Sequence, residues 1–194
     1  MKPFIVVSDG FDKKLFEYLK DTNEFEVFPE SKITQEKLAE LLPKINGLVI
    51  RSATTITTEL LEKAPHLKYV IRAGEGTDNI DKIACGQKGV KVSNTPGANN
   101  NSAAEHAIAL MMTVLRKTAY AHNTMKNGGW DKSKYVGNEL SFKKVGIVGF
   151  GRIGQIVARR LAGFDVDVLF ADPFIESSDL PYAKKAHEVE DVFK

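Results

Sequence analysis

The sequence predicts the α/β class with parallel sheets, and two observations carry that prediction. From the N-terminus, short continuous apolar runs alternate with segments of helical period; strands buried on both faces and joined by crossover helices read this way. Further on, the run Val145-Gly-Ile-Val-Gly-Phe-Gly-Arg-Ile-Gly154 turns through Gly149, Gly151 and Gly154 straight into an amphipathic helix.

Strands are expected at residues 4–7, 25–28, 48–50, 69–71 and 90–92, with helices at 13–20, 34–42, 58–63 and 80–87 between them. Five strands alternating with helices make a flavodoxin-like parallel sheet over residues 1–98, in the order 2-1-3-4-5. Ligands bind such sheets outside the carboxyl ends of the strands. Those ends are Ser8-Asp9, Arg51-Ser52, Ala73-Gly74-Glu75-Gly76 and Asn94-Thr95-Pro96. Arg51 follows a buried apolar strand, and its guanidinium fork suits a carboxylate or phosphate; Ser52 adds a hydroxyl. An arginine capping the sheet edge through a surface ion pair fits the sequence equally. The backbone N–H groups of the Gly74-Glu75-Gly76 loop suit an anion, and a plain turn is the alternative.

A second unit is expected over residues 99–194. Ser102-Ala-Ala-Glu105 reads as a capping box opening a long helix over about 102–125. Ile108, Met111, Met112, Leu115 and Ala119 form its apolar face, and Asn127-Gly128-Gly129 ends it. Such a helix serves as linker and as dimer surface. His106 and His122 read as solvated or packed histidines, and a loop holding Trp130 leads to the next strand.

The glycine turn then opens the first half of a Rossmann dinucleotide-binding domain. Gly149 permits the tight turn off the strand, Gly151 lets backbone approach a pyrophosphate, and Gly154 lets the helix close on the strand. The helix N-terminus offers unpaired N–H groups and the positive end of a dipole to phosphates. Ile153, Ile156, Val157 and Leu161 keep helical spacing, Gly163 supplies a stop, and residues 166–171 form a strand ending at Asp172. That carboxylate is placed to accept from an adenosine ribose and to repel the extra phosphate of NADP, so the expected cofactor is NAD. Arg152 either touches the pyrophosphate or is an ordinary exposed arginine at a helix start. Beyond Asp172 come Pro173, a polar stretch with Ser177 and Ser178, and an apolar segment at 189–193.

Composition excludes several function classes. The chain has 194 residues, 43% hydrophobic and 27% charged, which suits globular units and excludes intrinsic disorder. Lys+Arg 27 against Asp+Glu 25 gives +2, too even to argue for nucleic acid or an anionic membrane surface. Cys85 is the single cysteine, so no disulfide forms within the chain and a reducing compartment fits; it reads as a packing residue rather than a nucleophile. No apolar run approaches the roughly 20 residues of a spanning helix, and the N-terminus lacks an apolar leader segment. A cytoplasmic location is expected, and no metal cluster, repeat or low-complexity segment is read.

Together the motifs resemble the D-isomer-specific 2-hydroxyacid dehydrogenases, most closely their D-3-phosphoglycerate dehydrogenase branch. The matching pieces are Ile50-Arg51-Ser52-Ala53-Thr54, Arg72 through Asp81, Asn94-Thr95-Pro96-Gly97-Ala98-Asn99 with Ser102-Ala103-Ala104-Glu105, the glycine turn, and Asp172-Pro173. The resemblance implies a substrate or lid lobe up to Ala98 and a nucleotide lobe from Asn99. It places Arg51, Ser52 and the Gly74-Glu75-Gly76 loop at substrate and nicotinamide, and Glu75, Ser102, Gly149, Gly151, Arg152, Ile153, Gly154 and Asp172 at NAD. It also implies a 2-hydroxy or 2-oxo acid as small-molecule partner and a homodimer built partly on the long helix in the full-length form.

Two departures follow from the same resemblance. Glu75 puts a carboxylate where the family usually carries a small or apolar residue, opposing an anionic substrate unless it turns outward or pairs. The family's catalytic arginine, glutamate and histidine correspond to positions past Lys194, and His66, His106, His122 and His187 match none of them. The expectation is a piece of a dehydrogenase, or a shortened gene product, whose 194 residues alone do not turn over substrate. Two alternatives stand beside it: a catalytically dead NAD-binding or oligomerising regulatory module, and a dehydrogenase for another 2-hydroxy acid such as glycerate, hydroxypyruvate or a lactate-like acid.

Overall fold

The computed structural model describes residues 2–193. The chain divides into two compact units, Met1–Ala98 and Asn99–Lys194.

In the first unit, β1 (Phe4–Val7), β2 (Glu26–Val27), β3 (Gly47–Ile50), β4 (Tyr69–Arg72) and β5 (Lys91–Asn94) alternate with α1 (Lys13–Asp21), α2 (Gln35–Leu41), α3 (Thr58–Glu62) and α4 (Lys82–Gln87). Each helix starts at a side chain that satisfies its free amides: Asp12 accepts from Lys14 and Leu15, Thr34 from Lys37, Thr57 from Leu60, and Asp81 from Ala84. The strands pair in parallel in the order β2-β1-β3-β4-β5, which is the predicted flavodoxin-like order. Val6, Leu48, Ile50 and Val70 from the strands and Leu38, Leu61, Ala84 and Cys85 from the helices share one core. Cys85 is fully buried there, and burial, with the Asp81 charge behind it, pushes its thiol pKa up. A thiol held protonated packs rather than attacks.

In the second unit, α5 (Asn100–Leu115), α6 (Thr118–Lys126), β6 (Lys144–Val148), α7 (Arg152–Arg160), β7 (Asp167–Ala171) and β8 (Ala183–Lys185) follow in order. The strands form a parallel sheet, β6-β7-β8. Phe150 and Phe170 stack with ring centroids 3.9 Å apart, and with Ala104, Val157, Ala158, Leu161 and Val168 they make the core.

Several expectations are corrected here. The long helix at 102–125 is two helices, broken at Lys117, which adopts φ 52°. The cause is tertiary: the 136–138 loop docks on the end of α5, with Asn138 donating to the Leu115 carbonyl at 2.9 Å. A Cβ on Gly137 would lie 2.4 Å from that same oxygen, so only glycine fits. The capping box is absent, because α5 starts two residues earlier behind Asn99 and Ser102 lies inside it. Glu105 instead pairs with Arg160 of α7 at 3.1 Å. Gly163 is not the stop after α7; it lies within a 3₁₀ turn, Leu161–Phe164, and the chain reverses at Asp165 with φ 51°. The polar stretch after Asp172 contains β8, and the apolar segment at its end is a 3₁₀ turn, Val189–Phe193.

Candidate functional site

The carboxyl ends of β1, β3 and β4 bring Asp9, the Arg51–Thr54 segment and Asn79 together. Oδ2 of Asp9 accepts the backbone N–H of Arg51 at 2.7 Å, of Ala53 at 3.1 Å and of Thr54 at 2.9 Å. Its Oδ1 accepts the Ser8 hydroxyl at 2.9 Å and the Thr54 hydroxyl. Burial pulls the Asp9 carboxyl upward, but the Thr54 hydroxyl and the amides of Thr54 and Arg51 outweigh it and hold the pKa below the ordinary carboxylate value. From the other side, Nδ2 of Asn79 donates to the carbonyls of Arg51 and Thr54, both at 2.7 Å.

The Arg51 side chain is exposed, and among the described residues its guanidinium has no protein partner. Among the described residues the ion-pair alternative therefore finds no acidic partner for Arg51. Ser52 beside it is exposed as well. At the end of β4, Arg72 folds back: its Nε donates to Oδ1 of Asn79 at 3.4 Å and its Nη1 to the Ala73 carbonyl at 3.3 Å. It passes so close to Gly74 that a Cβ there would lie 2.0 Å from Nη1.

Glu75 does not stand as a bare charge in its loop. Its carboxylate accepts the backbone N–H of Gly97, and its carbonyl accepts from Nδ2 of Asn94 at 2.6 Å. The side chain thereby ties the Gly74–Gly76 loop to the segment after β5. Asp9 and Asn79 were not singled out as site residues in the sequence; the available signal was an acid and an amide at the carboxyl ends of neighbouring strands.

In the second unit, β6 runs into the glycine turn. Gly149 adopts φ +90°, where a side chain would be strained. A Cβ on Gly154 would lie 2.3 Å from the Gly149 carbonyl oxygen, whereas one on Gly151 would meet nothing within 4 Å. That open space above Gly151 suits the approach of a phosphate. Gly151 caps α7 without a side-chain hydrogen bond, so the cap itself places no acceptor there, and the positive end of the helix dipole favours an anion. Arg152 and Ile153 are exposed on that turn.

Asp172 ends β7. Its Oδ2 accepts the Phe150 N–H at 2.8 Å, and its Oδ1 accepts those of Phe174 at 2.8 Å and Ile175 at 3.0 Å. The Phe174 bond foremost, with those from Phe150 and Ile175, depresses its pKa. Asp172 lines an open hollow of about 560 Å³ with Val148, Gly149, Pro173, Lys185 and His187. Ser102 is exposed on α5 and does not line that hollow. His66, His106, His122 and His187 are all exposed. Among the described residues, no helix is long and apolar enough to cross a membrane.

Both units match one family. Residues 5–131 match the D-isomer specific 2-hydroxyacid dehydrogenase catalytic domain, and residues 108–194 match that family's NAD binding domain. The chain belongs to the D-isomer specific 2-hydroxyacid dehydrogenases. It is 41% identical to a hydroxypyruvate reductase of Thermotoga maritima, over 90% of this chain and 57% of that one. It is 39% identical to a D-3-phosphoglycerate dehydrogenase of Archaeoglobus fulgidus, over 88% of this chain and 32% of that one. An NAD-dependent formate dehydrogenase of Staphylococcus aureus, solved in complex with NAD, superposes with a TM-score of 0.79 at 30% identity, covering 96% of this chain and 60% of that one. The chain thus spans between about a third and three fifths of these relatives' lengths.

Proposed function

We propose that the chain serves an NAD-dependent oxidoreductase that moves a hydride between nicotinamide and the C2 carbon of a D-2-hydroxy acid, with 3-phosphoglycerate and 3-phosphohydroxypyruvate as the substrate pair, in serine biosynthesis. The observation that carries this reading is Arg51: its backbone is held by Asp9 and Asn79 while its guanidinium is left to an incoming anion. A fork-shaped cation matches a carboxylate or phosphate in two-point contact.

In this reading Arg51 and Ser52, with the Gly74-Glu75-Gly76 loop, receive the acid. The glycine turn from Gly149 to Gly154, with Arg152, Ile153 and Asp172, receives NAD, and Ser102 and Glu75 contribute at the cofactor's edge. NAD supplies the hydride acceptor; the protein's share is to orient the two reactants and shield them from water. None of the chain's four histidines is assigned the proton-transfer role. A cytoplasmic homodimer is part of the proposal.

Hydroxypyruvate and glycerate form the second substrate pair, favoured by the 41% identity to a hydroxypyruvate reductase. Calorimetric titration of the NAD-loaded chain with 3-phosphoglycerate, D-glycerate and D-lactate separates these readings. Tightest binding of 3-phosphoglycerate, lost in Arg51→Ala, is the expected result. Preference for D-glycerate would move the assignment to the second pair. Binding of NAD with no acid bound at all would leave an NAD-binding or oligomerising module.

A further inference from the structure

The amides of Arg51, Ala53 and Thr54 converge on a single carboxylate oxygen. Backbone N–H groups that point into one concavity make an anion site. Here the concavity is already filled from within the protein, by Asp9, whose other oxygen is held by two hydroxyls. A substrate anion is therefore excluded from the backbone cradle and left to the Arg51 side chain. Asn79 grips the opposite edge of the same segment through the carbonyls of Arg51 and Thr54. Between them, two side chains fix both the amides and the carbonyls of one four-residue loop.

We infer that Asp9 and Asn79 are a positioning pair that presets the Arg51 guanidinium for the substrate's anion, acting through the backbone and touching no substrate themselves. The inference rests on the reading of Arg51 as the substrate cation. Its physical basis is preorganisation: a loop held in one conformation before binding does not have to be ordered during binding. With Asp9 removed, three amides lose their acceptor, the loop samples other conformations, and the cation is correctly placed only part of the time.

A double-mutant cycle on the NAD-loaded chain tests this, with 3-phosphoglycerate affinity read by calorimetry. Asp9→Ala and Asn79→Ala are each expected to weaken binding at least about tenfold, and Asp9→Asn, which keeps an acceptor oxygen, to recover part of the loss. In an Arg51→Ala background, Asp9→Ala is expected to add nothing further. Unchanged affinity in Asp9→Ala, or the same fractional loss with and without Arg51, overturns the positioning role. If Asp9→Ala does not fold, Asn79→Ala and Asp9→Asn complete the same cycle. An Arg51→Ala variant that binds like the wild type sinks the substrate reading itself, a result distinct from a failure of the pair.

Discussion

The carboxylate of Asp172 accepts the backbone N–H of Phe150 at 2.8 Å, joining the end of β7 to the middle of the glycine turn. The residue proposed to meet a ribose therefore also shapes the turn proposed to meet the pyrophosphate. Asp172→Ala is predicted to weaken NAD binding and to narrow the preference for NAD over NADP, because the charge that repels a 2′-phosphate is gone. Asp172→Asn keeps acceptor capacity for the amides without the charge, so it should retain more NAD affinity than Asp172→Ala while discriminating as poorly. Titrations of both variants with NAD and NADP check this, and unchanged relative affinities would count against the ribose role.

Gly154 and Gly151 separate folding from binding. A Cβ at Gly154 would press on the Gly149 carbonyl oxygen at 2.3 Å, so backbone and not a flexible side chain would have to shift. Gly154→Ala is predicted to destabilise the chain by about 1–3 kcal/mol, visible in denaturant midpoints. Gly151→Ala meets no neighbour within 4 Å and should fold like the wild type, yet its methyl group would stand where the pyrophosphate approaches. Its NAD affinity should drop with its melting temperature unchanged.

Phe150 sits between two glycines of the turn but does a core residue's work, 1% exposed and stacked on Phe170. Phe150→Ala should cost about 3–5 kcal/mol, and Phe150→Leu markedly less, as read from chemical denaturation. A surface-like response to Phe150→Ala would contradict the packing described.

The acid limb of stability should carry the marks of Asp9 and Asp172. Both pKa values lie below the ordinary 3.8 in the folded chain, so the unfolded chain binds more protons in that range and stability rises with pH there. Their contribution is fully present above 3.8 and is lost as pH falls through the depressed values. Asp9→Asn should flatten this limb while leaving the slope near neutrality unchanged, as followed by thermal melts from acid to neutral pH.

Much of this architecture was legible because the signals were local. Buried strands announce themselves as apolar runs and the helices between them by their period, whereas the caps Thr34, Thr57 and Asp81, which set where α2, α3 and α4 begin, were not read from the sequence. The break at Lys117 was not legible, since no glycine or proline lies there; it depends on Gly137 and Asn138 arriving from far along the chain. Ser102 and Glu105 had the right spacing for a cap, but Glu105 finds its partner in Arg160 of another helix. β8 is short and two of its three residues are lysine, so periodicity could not mark it. At the candidate site, Arg51 stood out by its position after an apolar strand. The support from Asp9 and Asn79 did not, because hydrogen bonds between distant strand ends leave no spacing to read.

The central claim is that the Arg51 loop receives the anion of a 2-hydroxy acid while the glycine turn receives NAD. Amide spectra of the ¹⁵N-labelled chain, recorded with NAD and then with added 3-phosphoglycerate, address it most directly. The account predicts shifts at Gly149 to Gly154 and around Asp172 in the first step, and at Arg51 to Thr54 and Gly74 to Gly76 in the second. Perturbation by 3-phosphoglycerate elsewhere, with the Arg51 loop unmoved, would contradict it.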